Sequence, residues 1–203
     1  MTKFICALLI FAPMLDARPL LVNTMPHAGT RYIQNTLIKY FTPPIWTGPK
    51  LRKGDISKQD VQRIIECSNS VEFPFVHHFN NIPFHLVETF SQHNLSVVFV
   101  PRDPRESAVS DAIEHVCFPK STRNILSFEE QEKLVDEKRD EILARLNARW
   151  RTFILHRVRT LRDWKRYKTA FPKTVSIIPF TSLKYENETF WFTLFEAFGY
   201  SKT

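Results

Sequence analysis

Between Leu20 and Phe41 the chain reads LLVNTMPHAGTRYIQNTLIKYF: a short apolar run, a turn carrying the only glycine of the first 47 residues, then apolar residues at helical spacing. A leucine-rich run ending in Pro-x-x-Gly-Thr predicts a strand, a phosphate-holding loop and a helix. The backbone N–H groups of His27, Ala28, Gly29 and Thr30 would wrap around an anion at the helix N-terminus, where unpaired donors and the helix dipole favour negative charge. Ile33, Leu37, Ile38 and Phe41 give that helix a buried face. An ordinary strand-turn-helix connection without a ligand has the same local pattern, so this stretch alone leaves both readings open.

The rest of the chain repeats the alternation. A Pro-rich loop over 42–54 precedes a short helix opened by Asp55 or Ser57, with Val61, Ile64 and Ile65 on one face. Residues 73–83 are extended and end in a polar loop, and 84–93 read as an amphipathic helix. The run 95–100, LSVVFV, is almost continuously apolar, as a parallel strand covered on both faces should be. A Pro-Arg-Asp-Pro turn and a helix follow, with Ala108, Val109, Ala112, Ile113 and Val116 facing inward. From 129 to 168, Leu134, Ile142, Leu146, Trp150, Ile154, Leu161 and Trp164 have helical spacing, divided between two helices. A strand over 175–180, a loop and a helix over about 189–198 stopped by Gly199 close the chain. Strands alternating with helices predict an α/β fold, a parallel sheet wrapped by helices, with ligands outside the C-terminal ends of the strands.

Residues 1–17 stand apart: Lys3 precedes an apolar run from Phe4 to Ala12, too short to span a bilayer but suited to a signal-peptide core. The expected organisation is a leader over 1–17 and one domain over 18–203, which puts the protein in an exported or secretory-lumen setting. A buried first element of a cytoplasmic domain is the alternative. Cys67 and Cys117 either pair or remain free thiols, and no cysteine has metal-ligand spacing. The net charge of +7 favours an anionic partner, although the basic run between Arg139 and Lys173 also fits a solvated helix face. Nucleic acid is a weak reading, because no zinc-finger, helix-turn-helix or RNA-binding aromatic pattern is present. Membrane contact is expected only through the leader.

The turn is too short for a Walker loop and lacks its lysine, and the three glycines of a dinucleotide fingerprint are missing. A second stretch carries more weight: Val98-Phe99-Val100-Pro101-Arg102-Asp103-Pro104, with Ser110 eight residues after Arg102. Together with Met25 to Arg31 it resembles the sulfotransferase family that uses 3′-phosphoadenosine 5′-phosphosulfate (PAPS). A third stretch, Ile177 to Glu186 followed by the Phe192 to Gly199 helix, is similar to that family's strand, Tyr-Glu loop and closing helix. The resemblance runs in order from about Pro19 to Tyr200.

The resemblance implies a three-layer P-loop-like sandwich whose central, mostly parallel sheet is flanked by helices. It also implies PAPS as cosubstrate without a metal, and a hydroxyl or amine of a small molecule or carbohydrate as acceptor. By motif position, His27, Ala28, Gly29, Thr30 and Arg31 would hold the phosphosulfate, Arg102 and Ser110 the 3′-phosphate, and His78 would be the base, preferred over His77. Strand alternation sends those two imidazoles to opposite faces. One departure matters: His27 stands where the family's loop has lysine. A protonated imidazole beside anions could supply part of that charge, which makes His27 a candidate catalytic residue. Otherwise the chain is a catalytically weakened protein that binds 3′-phosphoadenosine 5′-phosphate (PAP) or an acidic ligand. The family's C-terminal Arg-Lys-Gly clamp is missing as well. An atypical small-molecule kinase is a further alternative, distinguished by magnesium-dependent ATP binding.

Overall fold

A computed structural model describes residues 20–25, 27–40, 58–68, 75–77, 82–118, 126–197 and 199. The expected leader, His78, the loop over 42–54 and most of the 118–128 loop lie outside the described residues. Strands β1 (Leu20–Thr24), β2 (Phe75–His77), β3 (Ser96–Val100) and β4 (Val175–Ile177) form one sheet in the order β2-β1-β3-β4, and every pairing is parallel. Helices α1 (Thr30–Tyr40) and α2 (Lys58–Ser68) connect β1 to β2, and α3 (Phe84–Gln92) connects β2 to β3. The chain thus steps one way from β1 to β2, then crosses β1 to reach β3. Helix α1 packs on β2 and α3 on β3 while α2 packs on α3, so helices cover a parallel sheet, the build of an α/β fold.

Two compact units make up the chain, residues 1–101 with 163–203, and residues 102–162. The first holds the sheet. Its centre is β3, where Val97, Val98, Phe99 and Val100 are all buried, and Trp164 stacks on Phe99 at a ring-centroid distance of 4.5 Å. A strand covered on both faces has no polar side to present, which is why its sequence is continuously apolar. The closing helices α7 (Phe180–Tyr185) and α8 (Asn187–Ala197) add Leu183, Phe190, Trp191 and Leu194 to this core. Gly199, at φ 96°, donates its N–H to the Glu196 carbonyl and closes α8 in a conformation that suits glycine.

The second unit contains α4 (Pro104–Cys117), α5 (Phe128–Glu137) and most of α6 (Arg139–Ala170). Ala112, Cys117 and Ile142 form its buried centre, with Ile113, Val116, Leu134 and Leu146 packed around them. Ser127 opens α5 with a capping box: Glu130 N–H donates to its hydroxyl at 3.3 Å while its own N–H donates to the Glu130 carboxylate at 2.7 Å. Cys117 is a buried free thiol, and the Cys67 side chain lies outside the described part. Burial pushes the Cys117 thiol above the ordinary value.

Several expected elements differ in detail. The two long helices divide at Lys138. The final strand stops at Ile177 rather than Phe180, because Phe180 turns into α7 and gives its N–H to the Pro101 carbonyl. Val109 is exposed where the pattern turned it inward, and Ser107 takes the buried position beside Ala108. Trp150, expected on the apolar face, is 45% exposed.

Asp103 caps α4 by accepting the Arg105 N–H at 2.7 Å, with Pro104 at the first helical position, where its missing donor costs nothing. The hydrogen bonds from the Arg105 side chain and N–H hold the Asp103 carboxyl down at about 2. A carboxylate lowered in the folded state stabilises above its unfolded value of about 3.9, and that contribution is lost as pH falls through about 2. Because the side chain is 33% exposed, solvent screening keeps the effect to roughly 1 kcal/mol. Chemical denaturation between pH 5 and pH 2 should show the wild type losing about that much more stability than Asp103→Asn, which keeps the cap without the titration.

Candidate functional site

The sheet reverses its winding direction between β1 and β3, the crevice where open α/β sheets bind ligands outside the carboxyl ends of their strands. The two strands pair over five positions and end level, with Thr24 opposite Val100. Met25 N–H prolongs the ladder by donating to the Val100 carbonyl at 3.0 Å, Ile178 N–H donates to Phe99 at 2.9 Å, and Phe180 N–H donates to Pro101 at 2.8 Å. The ends of β1 and β3, through Pro101, and the start of α7 are therefore stitched together at one end of one sheet. Asn23 and Thr24, fully buried polar residues, close β1 at that end.

The turn from β1 into α1 has the backbone of an anion cradle. His27 and Gly29 hold left-handed φ values of 64° and 73° on either side of buried Ala28. Alternating handedness aims successive N–H groups into one concavity. Ala28 N–H donates to the Met25 carbonyl at 3.0 Å, which closes the turn. The Gly29 carbonyl takes the Ile33 N–H at 2.9 Å and so begins the helix, leaving the N–H groups at its first turn without intrahelical acceptors. Those of Thr30, Arg31 and Tyr32 are the donors that such a helix start has to offer. The Thr30 and Thr24 hydroxyls hydrogen-bond to each other, which anchors the helix start to the strand end.

Gly29 is required twice. Its φ lies in the left-handed region, and a Cβ there would stand 3.0 Å from both Leu183 Cδ2 and Phe180 Cε2. These two α7 side chains, which the sequence reading did not single out, fix the loop from behind. Their signal was legible as apolar residues three apart directly after the last strand.

In the second unit, Arg102 is 17% exposed and donates from Nε to Glu106 at 3.3 Å. Its neighbour Asp103 pairs instead with Arg105 at 2.8 Å. Ser110 lies half-buried on α4, two turns beyond Arg102. His77 ends β2 level with Asn23 of β1, but its side chain, like that of Arg31, lies outside the described part; His78 does so entirely. Among the described residues no group of three or more His, Cys, Asp or Glu side chains is placed to hold a metal ion, and no helix is long and apolar enough to cross a membrane. A cavity of about 400 Å³ lined by Ser96, Lys173, Ser176, Thr193 and Glu196 lies at the opposite, amino-terminal end of β3.

No family model matches the sequence, and no curated protein matches it. Among solved structures, mouse sulfotransferase SULT7A1 complexed with PAP matches with a TM-score of 0.47 and 17% sequence identity, over 95% of this chain and 61% of that one. The chain thus spans about three fifths of the length of the structure it matches.

Two substitutions in the loop should move stability in opposite directions. Gly29→Ala combines a left-handed φ with contact against Phe180 and Leu183 and should cost roughly 1–3 kcal/mol. His27→Gly relieves a left-handed non-glycine residue and should cost little or gain up to about 1 kcal/mol. Urea denaturation monitored by circular dichroism checks both.

Proposed function

We propose that this chain is a compact PAPS-dependent sulfotransferase acting on a hydroxyl or amine of a small-molecule or carbohydrate acceptor. The observation that carries this reading is the meeting of the 25–30 turn, the end of β3 and the start of α7 at the β1/β3 crevice, with an anion-directed helix N-terminus among them. The reaction breaks the bond between sulfur and the bridging phosphate oxygen, forms one from the acceptor atom to sulfur, and releases PAP. It needs a cradle for the anionic leaving group, an anchor for the nucleotide and a base for the acceptor proton.

The chain's residues divide these tasks. The 27–31 loop binds the phosphosulfate and stabilises charge developing on the leaving phosphate through fixed N–H dipoles, as positioned donors do in phosphoryl transfer. Arg102 gives the 3′-phosphate a planar guanidinium and Ser110 a hydroxyl donor. His78 accepts the acceptor's proton, a task suited to imidazole, whose ordinary pKa is about 6.5. His27 supplies positive charge at the cradle when protonated. No step is assigned to a metal.

His27 also supports a second reading. An imidazole on a left-handed loop residue reaches less far than a lysine ammonium, and a chain with the cradle but a weaker cation would bind PAP or another acidic ligand without efficient transfer. Titration of PAP by calorimetry should give micromolar binding that Arg102→Ala weakens about tenfold to a hundredfold. Unchanged affinity in that variant would remove Arg102 from the site. Transfer assays with PAPS distinguish the readings: activity in the wild type supports the enzyme, whereas activity only in His27→Lys supports the weakened binder.

A further inference from the structure

On α6, Arg157 is only 8% exposed, yet among the described residues it makes no side-chain hydrogen bond and no ion pair with a carboxylate. Its guanidinium lies over the Phe153 ring, 4.7 Å from the centroid. Burial disfavours its charged form, and the one charge that supports it is Asp111. That carboxylate is already shared: Arg145 Nη2 stands 3.6 Å from it and His115 Nδ1 3.4 Å. Arg145 itself has Nε and Nη2 buried without hydrogen bonds. A single acidic group thus faces two sequestered guanidiniums, an arrangement that is expensive until an anion joins it.

The helices bring this charge toward Arg102 and Ser110, in the same compact unit. Cys117, at the end of α4, reaches toward the Leu134 carbonyl and feels Lys138, whereas Asp111, nearer the start, meets Arg145. The two helices therefore run antiparallel, and moving toward the beginning of α4 means moving along α6 toward Arg157. Asp111, the carboxylate whose charge acts on Arg157, directly follows Ser110 on α4, which places Arg157 on the Ser110 side of Arg145. A phosphate monoester carries nearly two negative charges, and Arg102 already shares its own charge with Glu106 at 3.3 Å.

We propose that Arg157 is the second cation of the 3′-phosphate subsite, delivered from α6 to complement Arg102 and Ser110. This rests on the sulfotransferase reading above. The bound phosphate supplies the counter-charge that the protein withholds, and Phe153 keeps the guanidinium oriented in the meantime. Arg157 thereby contributes to telling PAP from nucleotides that lack the 3′-phosphate.

The test is calorimetric titration of PAP and of adenosine 5′-phosphate into the full chain, beside Arg157→Met and Arg157→Lys, with thermal denaturation of each. Arg157→Met should lose about tenfold to a hundredfold in PAP affinity, leave adenosine 5′-phosphate affinity unchanged, and melt at or above the wild-type temperature. A merely structural arginine would instead lower the melting temperature and weaken both nucleotides alike, which would overturn the proposal. PAP affinity within twofold of wild type in Arg157→Met would overturn it while leaving the sulfotransferase reading intact. Absence of PAP binding by the wild type would overturn both. Should Arg157→Met fail to fold, Arg157→Lys decides: a smaller loss confined to PAP supports the role, and wild-type affinity contradicts it.

Discussion

Everything at the candidate site hangs on the parallel ladder between β1 and β3. Five paired positions, from Leu20 opposite Ser96 to Thr24 opposite Val100, make the two strands end level. A slip of one residue would turn every side chain to the other face and unseat both following turns. The register is held by burial on both sides: Phe99 lies against Trp164, and each fully buried aliphatic residue of β3 contributes roughly 1.5–3 kcal/mol. Because the ladder continues through Met25 and the Phe180 N–H reaches Pro101, the rigidity of the sheet is passed directly to the loops. A cradle of backbone N–H groups is useful only if its geometry is fixed before the ligand arrives.

The parts of this arrangement that follow from local pattern were legible in the sequence. The continuous apolar run of β3, the strand-turn-helix at 20–40, and the closing helix ended by Gly199 were all readable from composition and spacing. What depended on partners elsewhere in the chain was not. Residues 178–180 look like strand by composition, but Phe180 gives its N–H to Pro101 and starts α7. Val109 and Ser107 exchange places because a small residue beside Ala108 fits the buried side of α4. The Ala28 N–H closes the turn onto the Met25 carbonyl, a bond that spacing alone does not announce. Arg157 was hidden among the many arginines of α6, since a charge run reads as solvated whether or not one member is buried.

The chemistry of the site is a division of electrostatic labour. Helix dipole and N–H donors serve one end of the proposed nucleotide without ionisable groups, so their contribution does not change with pH. Guanidiniums serve the other end and stay charged throughout. His27 and His78 are the proposed members of the one side-chain type whose ordinary pKa lies near neutrality, so any pH dependence of transfer should report on them rather than on nucleotide anchoring. The left-handed backbone at His27 belongs to the loop's shape, independently of which side chain it carries.

The most direct test of the central claim is to follow backbone amide resonances of the 15N-labelled protein as PAP is added. The account predicts saturable shifts concentrated at Gly29, Thr30, Arg31 and Tyr32, with none at the start of α2 around Lys58. Shifts absent from the 29–32 amides, or equal at both helix starts, would contradict the assignment of the β1–α1 turn as the anion cradle.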